Sequence, residues 1–215
     1  MKRLLLLTLL LLGAGRVLAQ GEYYDQRRSL FEVLPIRSSD IVFLGNSITD
    51  GGEWAELFDN RHVRNRGISG DQTGWMLGRL DPILAGHPKR LFLMIGTNDL
   101  AVGISPDEVV ANIARIIERF QTESRWTRLF VQSILPVNGR DFSKFKGHYA
   151  HADAIVETNR LLQALCEEKG VTYIDLWPAL ANADGLPDSR YTNDGLHLVG
   201  EGYLVWRDAL KPYVK

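Results

Sequence analysis

From residue 40 onward, short apolar runs alternate with longer stretches in which apolar residues recur every three or four positions. Residues 40–45 (DIVFLG) and 89–95 (KRLFLMI) are near-continuous apolar runs that end at or just before a glycine. They read as strands buried on both faces. Residues 128–134 (RLFVQSI) and 171–175 (VTYID) extend the series, and residues 61–65 (RHVRN) form a more polar strand suited to a sheet edge. Helical patterns lie between them. Ser105, Pro106, Asp107 and Glu108 make a helix start, with a hydroxyl cap, a proline in the first turn and acids at the positive dipole end. Val109, Ile113, Ile116, Ile117 and Phe120 then repeat at helical spacing. Ile155, Leu161, Leu162 and Leu165 mark a second helix over 153–168, which Gly170 stops. Further helices are predicted over 201–214 and, ahead of the first strand, over 23–34.

Five strands separated by helices imply parallel neighbours joined by right-handed crossovers. The predicted fold is α/β: a three-layer α/β/α, flavodoxin-like doubly wound fold with a five-stranded parallel sheet. No internal repeat or linker divides the chain. Residues 138–152 (NGRDFSKFKGHYAHA) are expected to be the longest irregular stretch, and long loops in compact domains are often functional.

The first residues follow a different pattern. Lys2 and Arg3 precede an apolar run from Leu4 to Leu12, broken only by Thr8, and Val17 and Ala19 place small residues at the −3 and −1 positions of a cleavage site. This is the pattern of a secretory signal peptide over 1–19, with a single domain over 20–215. The run is about half of the ~20 residues that a membrane span needs. The expectation is an exported protein, secreted or periplasmic, without a membrane span.

Composition narrows the function classes. The 215 residues are 45% hydrophobic, which excludes a disordered chain, and 25 basic residues against 26 acidic ones give a formal charge of −1. Loss of residues 1–19 removes Lys2, Arg3 and Arg16 and no acid. A charge so balanced argues against binding to nucleic acid. Cys166 is the sole cysteine, so no intramolecular disulfide can form, and its apolar neighbours predict an inert buried thiol.

Ligands of an open parallel sheet bind beyond the carboxyl ends of its strands. Three polar clusters fall there: residues 45–50 (GNSITD), 96–99 (GTND) and, before the last helix, 194–197 (DGLH). Ser47 at a strand-to-helix turn is exposed beside helix amides that stabilise negative charge. A serine needs a base to become nucleophilic, and the base needs an acceptor that holds its tautomer. Asp194 and His197, three residues apart, can project from one turn toward that serine. Asn98 and the backbone N–H groups around Gly70 can donate to an oxyanion.

In these blocks the sequence resembles the SGNH, or GDSL-type, hydrolases. The first block is similar to Gly45-Asn46-Ser47-Ile48-Thr49, the second to residues 65–71 (NRGISGD), the third to residues 96–99, and the last to Asp194 and His197 in the family's Asp-x-x-His spacing. The resemblance implies Ser47 as nucleophile, His197 as base and Asp194 as acid. It also implies an oxyanion hole of Ser47, Gly70 and Asn98, and chemistry that needs no metal or organic cofactor. The family's usual Gly-Asp-Ser-Leu stands here as Gly-Asn-Ser-Ile. The block variants are similar to the branch of platelet-activating-factor acetylhydrolases and carbohydrate O-acetylesterases. That branch implies a short acyl group, acetyl above all, on a small-molecule or glycan ester. A lipid esterase and a non-catalytic glycan-binding protein are the alternatives.

Other residues carry weaker expectations. His148, Tyr149 and His151 suit a polar loop on the rim of the site, a His-x-x-His metal pair being the sharper reading. Arg61, Arg64 and Arg66 suit a solvated edge strand or, less simply, an anionic substrate. Trp54, Trp75 and Trp177 suit the core or a sugar platform.

Overall fold

A computed structural model describes residues 21–214. The predicted signal peptide lies outside the described residues. Helix α1 (Glu22–Val33) precedes the sheet. Strand β1 (Ile41–Gly45) runs into two single-turn helices, α2 (Ser47–Asp50) and α3 (Trp54–Leu57). Strand β2 (Val63–Gly67) is followed by α4 (Thr73–Leu77) and α5 (Asp81–Gly86). Strand β3 (Arg90–Met94) leads to α6 (Thr97–Ala101) and the long α7 (Pro106–Glu123). Strand β4 (Arg128–Gln132) leads to α8 (Lys146–Ala150) and α9 (Ala152–Lys169). Strand β5 (Thr172–Ile174), α10 (Trp177–Leu180) and α11 (Gly200–Val214) follow.

The strands form one all-parallel sheet in the order β2-β1-β3-β4-β5. This is the predicted three-layer architecture. The chain runs outward from β1 to β2, then returns past β1 to β3. The carboxyl ends of β1 and β3 therefore flank the switch point where such folds bind ligands. The apolar runs are explained by burial: β1 is buried along its whole length, and β3 from Leu91 to Met94. One face carries a stacked row of rings, with Phe43 4.9 Å from Phe92 and Phe92 4.6 Å from Phe130. Trp54 stacks on Phe43 at 4.3 Å, and Trp206 of α11 meets Trp54 edge-on at 4.6 Å. Trp54 is thus core.

The helix starts and stops obey the local chemistry. The Ser105 hydroxyl accepts the Glu108 N–H at 3.2 Å, and the apolar stripe of α7 is buried. Gly170 ends α9 with φ 64°, a left-handed conformation that glycine adopts without strain. The polar strand is an edge, as its composition predicts, but it is shifted to Val63–Gly67. Arg61, Arg64 and Arg66 have different surroundings. Arg66 is buried with its guanidinium 4.8 Å over the Phe31 ring of α1, Arg64 pairs with Asp40 at 3.1 Å, and Arg61 is exposed. Among the described residues no helix is long and apolar enough to cross a membrane.

One expectation needs correction. Residues 138–152 are not the longest irregular stretch, because α8 forms inside them and α9 begins at Ala152. Phe145 and Tyr149, one helical turn apart, pack against the core and supply the apolar side of that turn. Among the described residues the longest segment without regular helix or strand is 181–199, which carries Asp194 and His197.

Candidate active site

The sequence between Gly45 and Asp50 places a serine at the top of the sheet. The strand stops at Gly45, and Asn46 turns the chain with its Oδ1 accepting the Ile48 N–H at 3.1 Å. An asparagine oxygen caps a helix as well as an aspartate does, which explains why Gly-Asn-Ser can stand for Gly-Asp-Ser. Ser47 is then the first residue of α2. The short helix is locked from two sides. The Asn65 amide donates to the carbonyls of Thr49, Asp50 and Gly52 at 3.0, 3.0 and 2.9 Å, and the Tyr203 hydroxyl donates to the Ile48 carbonyl at 2.8 Å. At Gly67 the strand lies so close that any Cβ would overlap the Asp50 backbone.

His197 reaches Ser47 across 150 residues of chain. Its Nε2 is 3.0 Å from Ser47 Oγ, and its Nδ1 is 2.9 Å from Asp194 Oδ2. The other carboxylate oxygen accepts the main-chain N–H groups of Leu196 and His197 at 3.0 and 2.8 Å. Burial alone would raise the Asp194 pKa, but these hydrogen bonds and the His197 ring outweigh it and hold the carboxyl below its ordinary value. Asp194 therefore stays ionised at neutral pH. It fixes the proton of His197 on Nδ1 and leaves Nε2 free to accept from Ser47.

The donors follow the neighbouring strands β2 and β3. Gly70 has φ 81°, where a side chain is strained, and nothing lies within 4 Å of where its Cβ would be. Its N–H has no acceptor among the described residues. Asn98, on α6, donates one Nδ2 hydrogen to the Asp71 carbonyl at 2.9 Å, which leaves the second for a ligand. Ser47, His197 and Asp194 are thus brought together as the spacing predicts, with Gly70 on the loop after β2 and Asn98 at the start of α6. The set can supply a nucleophile, a base, an orienting acid and oxyanion donors, which is what acyl transfer requires.

The GDSL-like Lipase/Acylhydrolase family profile matches residues 43–205, which span all four blocks. The chain belongs to this family. It is 28% identical over 178 residues to the platelet-activating factor acetylhydrolase IB subunit alpha1 of Bos taurus, covering 78% of this chain and 71% of that protein. A solved structure described as a platelet activating factor from Streptococcus pneumonia superposes with a TM-score of 0.80 at 32% identity, over 89% of this chain and 90% of that one. A mutant of an acetyl-xylooligosaccharide esterase from Geobacillus Stearmophilus shares the fold, with a TM-score of 0.63 at 16% identity over 81% and 93% of the two chains.

The support of this GDSL hydrolase site is more extensive than its motifs. Asp71 and Arg79 form a buried pair, with Arg79 Nε and Nη2 at 2.8 and 2.6 Å from Asp71 Oδ2. Arg79 also donates to the Arg66 and Gly45 carbonyls at 3.0 and 3.1 Å, so one guanidinium ties the ends of β1 and β2 to the oxyanion loop. Burial pushes the Asp71 carboxyl up to about 6 against the pull of Arg79. Asp99, next to Asn98, does not enter the site; it is buried and accepts the Thr73 N–H at the start of α4 at 2.9 Å. On the outer side, Asp50 accepts from Tyr23 at 2.6 Å, Arg27 at 3.1 Å and the Ser69 N–H at 3.2 Å, which clasps α1 to the Gly70 loop. None of Tyr23, Arg27, Asp50 or Arg79 is marked by spacing in the sequence, because the separations from their partners, from 8 to 34 residues, lie within no single helix or strand.

Beside the oxyanion donors lies an open cleft of about 490 Å³, whose lining includes Tyr23, Tyr24, Trp75, Gly70, Asn98 and His148. Among the described residues no Lys, Arg, Asp or Glu lines it. Trp177 lies elsewhere, beside Tyr173 and Asp175. His148 and His151 do not converge: His148 meets Asn98, whereas His151 bonds the Gly147 carbonyl at 2.8 Å. Cys166 is buried, which pushes its thiol up to about 11 and away from reactivity.

Proposed function

We propose that this acylhydrolase removes short acyl groups, acetyl above all, from the hydroxyls of carbohydrates. Ser47 attacks the ester carbonyl while His197 Nε2 takes its proton, and Asp194 stabilises the imidazolium that results. The oxyanion lies among the Ser47 and Gly70 N–H groups and the Asn98 amide. His197 then protonates the departing alcohol, and water repeats the sequence to release the acid and free Ser47.

The observation that carries the substrate reading is the cleft. It is open, no charged side chain among the described residues lines it, and Tyr23 and Trp75 give it ring surfaces beside the oxyanion donors. Such surfaces stack on the apolar faces of sugar rings. The acetylhydrolase relatives support a short acyl group, and the sequence pattern of residues 1–19 supports export, where acetylated glycans are met. Hydrolysis of p-nitrophenyl esters of increasing chain length is expected to be fastest at acetate, and acetylated xylo-oligosaccharides are expected to outrun lysophospholipids. A maximum at octanoate or beyond would favour the lipid alternative. Export is tested by the N-terminus of the protein recovered outside the cytoplasm: Gln20 is expected, and an intact Met1 contradicts it.

A further inference from the structure

The segment between β4 and α9 does more than border the site. Phe145 and the short helix α8 that follows it touch three members of the catalytic set. The Tyr149 hydroxyl donates to the Asp194 carbonyl at 2.6 Å. Phe145 packs edge-to-face on His197, with ring centroids 5.1 Å apart, and on His148 at 5.7 Å. His148 Nε2 lies 3.0 Å from Asn98 Oδ1.

The last contact has a defined polarity. The Asn98 amide is oriented by Asp71, because Nδ2 donates to the Asp71 carbonyl at 2.9 Å. The reverse orientation would set two carbonyl oxygens against each other. Oδ1 therefore faces His148, and the proton between them must sit on His148 Nε2. One end of the Asn98 amide is held by a main-chain acceptor and the other by an imidazole donor. Only the second Nδ2 hydrogen remains uncommitted, and the two anchors fix where it points.

We propose that His148 is a positioning residue of the oxyanion hole: by donating to Asn98 Oδ1 it aims the Asn98 amide at the oxygen that becomes negative in the transition state. Oxyanion donors act through preorganisation, so an amide free to rotate loses much of its effect even though it is still present. The surroundings suit a ring that donates without carrying charge. Burial, and then the nearby His197, lower the His148 pKa, so the imidazolium that forms on His197 during turnover does not meet a second cation. This role is separate from substrate choice, since the amide contacts the oxyanion whatever the leaving group.

The test is a double-mutant cycle on p-nitrophenyl acetate. Removal of an oxyanion donor costs about 10²–10³ in kcat, so Asn98→Ala is expected in that range and His148→Ala about 10–100-fold, with KM nearly unchanged. In Asn98→Ala/His148→Ala the second substitution is expected to add less than about twofold, because His148 acts through a group already gone. His148→Gln, which keeps an N–H donor, is expected to recover most of the rate. His148→Phe keeps the ring and its packing but not the donor, and is expected to behave as His148→Ala does. This variant carries the comparison if alanine unsettles the fold. Losses that multiply in the double variant, a defect confined to KM, or wild-type kcat in His148→Phe would each overturn the proposal.

Discussion

Ser47→Ala is expected to lower kcat/KM on p-nitrophenyl acetate by at least about 10⁴-fold, because the members of a catalytic triad act as a unit. Ser47 Oγ is the hydroxyl that His197 Nε2 meets, at 3.0 Å. Without it the base has nothing to activate but water. The oxyanion donors remain and should leave a small residual rate above the uncatalysed one. Stability should scarcely change. Ser47 is partly exposed, its hydroxyl meets His197, and the cap that forms α2 belongs to Asn46. A melting temperature close to wild type with activity lost is therefore the expected pair of results, read by a thermal melt beside steady-state kinetics. More than a tenth of wild-type activity in the variant would remove Ser47 from the mechanism.

Arg79→Ala is expected to have the largest effect on stability. The Arg79 side chain is 4% exposed and that of Asp71 fully buried, at 2.6 Å separation. Breaking a buried pair by removing one partner typically costs about 3–5 kcal/mol, because the remaining charge is left without compensation. The Gly45 and Arg66 carbonyls lose a donor as well. In a domain of this size a loss of that order lowers Tm by about 6–20 °C. Activity should fall too, since the Asp71 carbonyl anchors Asn98. Asp71→Asn/Arg79→Met, which removes both charges, should regain part of the lost stability. A thermal melt of the three proteins decides. An Arg79→Ala protein melting within about 2 °C of wild type would mean that the pair does not hold the loop.

The contrast between these two residues shows what the sequence discloses. Ser47, Asp194 and His197 are legible because their chemistry demands fixed residue types at strand ends and a fixed Asp-x-x-His spacing. The sheet is legible because β1 and β3 are buried on both faces and so read as unbroken apolar runs. Gly70 and Asn98 are legible as members of blocks. Arg79 is not, because its partners Asp71, Arg66 and Gly45 are joined to it by the fold alone. The same is true of the Asp50 clasp, which links α1 to the Gly70 loop across the domain. Helix α8 was hidden for another reason. Its five residues, KGHYA, include a glycine and offer too short a period to stand out, and the turn is stabilised by tertiary packing of Phe145 and Tyr149. The charged edge misleads in the opposite direction. Arg61, Arg64 and Arg66 are neighbours in sequence, but Arg61 lies ahead of the strand in solvent, Arg64 pairs with Asp40, and the cover of α1 places Phe31 over Arg66.

The central claim is that Ser47 is a nucleophile activated by His197. Reaction of the purified protein with a fluorophosphonate, followed by mass spectrometry of the intact chain and its peptides, tests it most directly. One adduct per chain is expected, on the peptide that holds Ser47, with labelling strongly slowed in His197→Ala. An unlabelled protein, or an adduct on any other residue, would contradict the account.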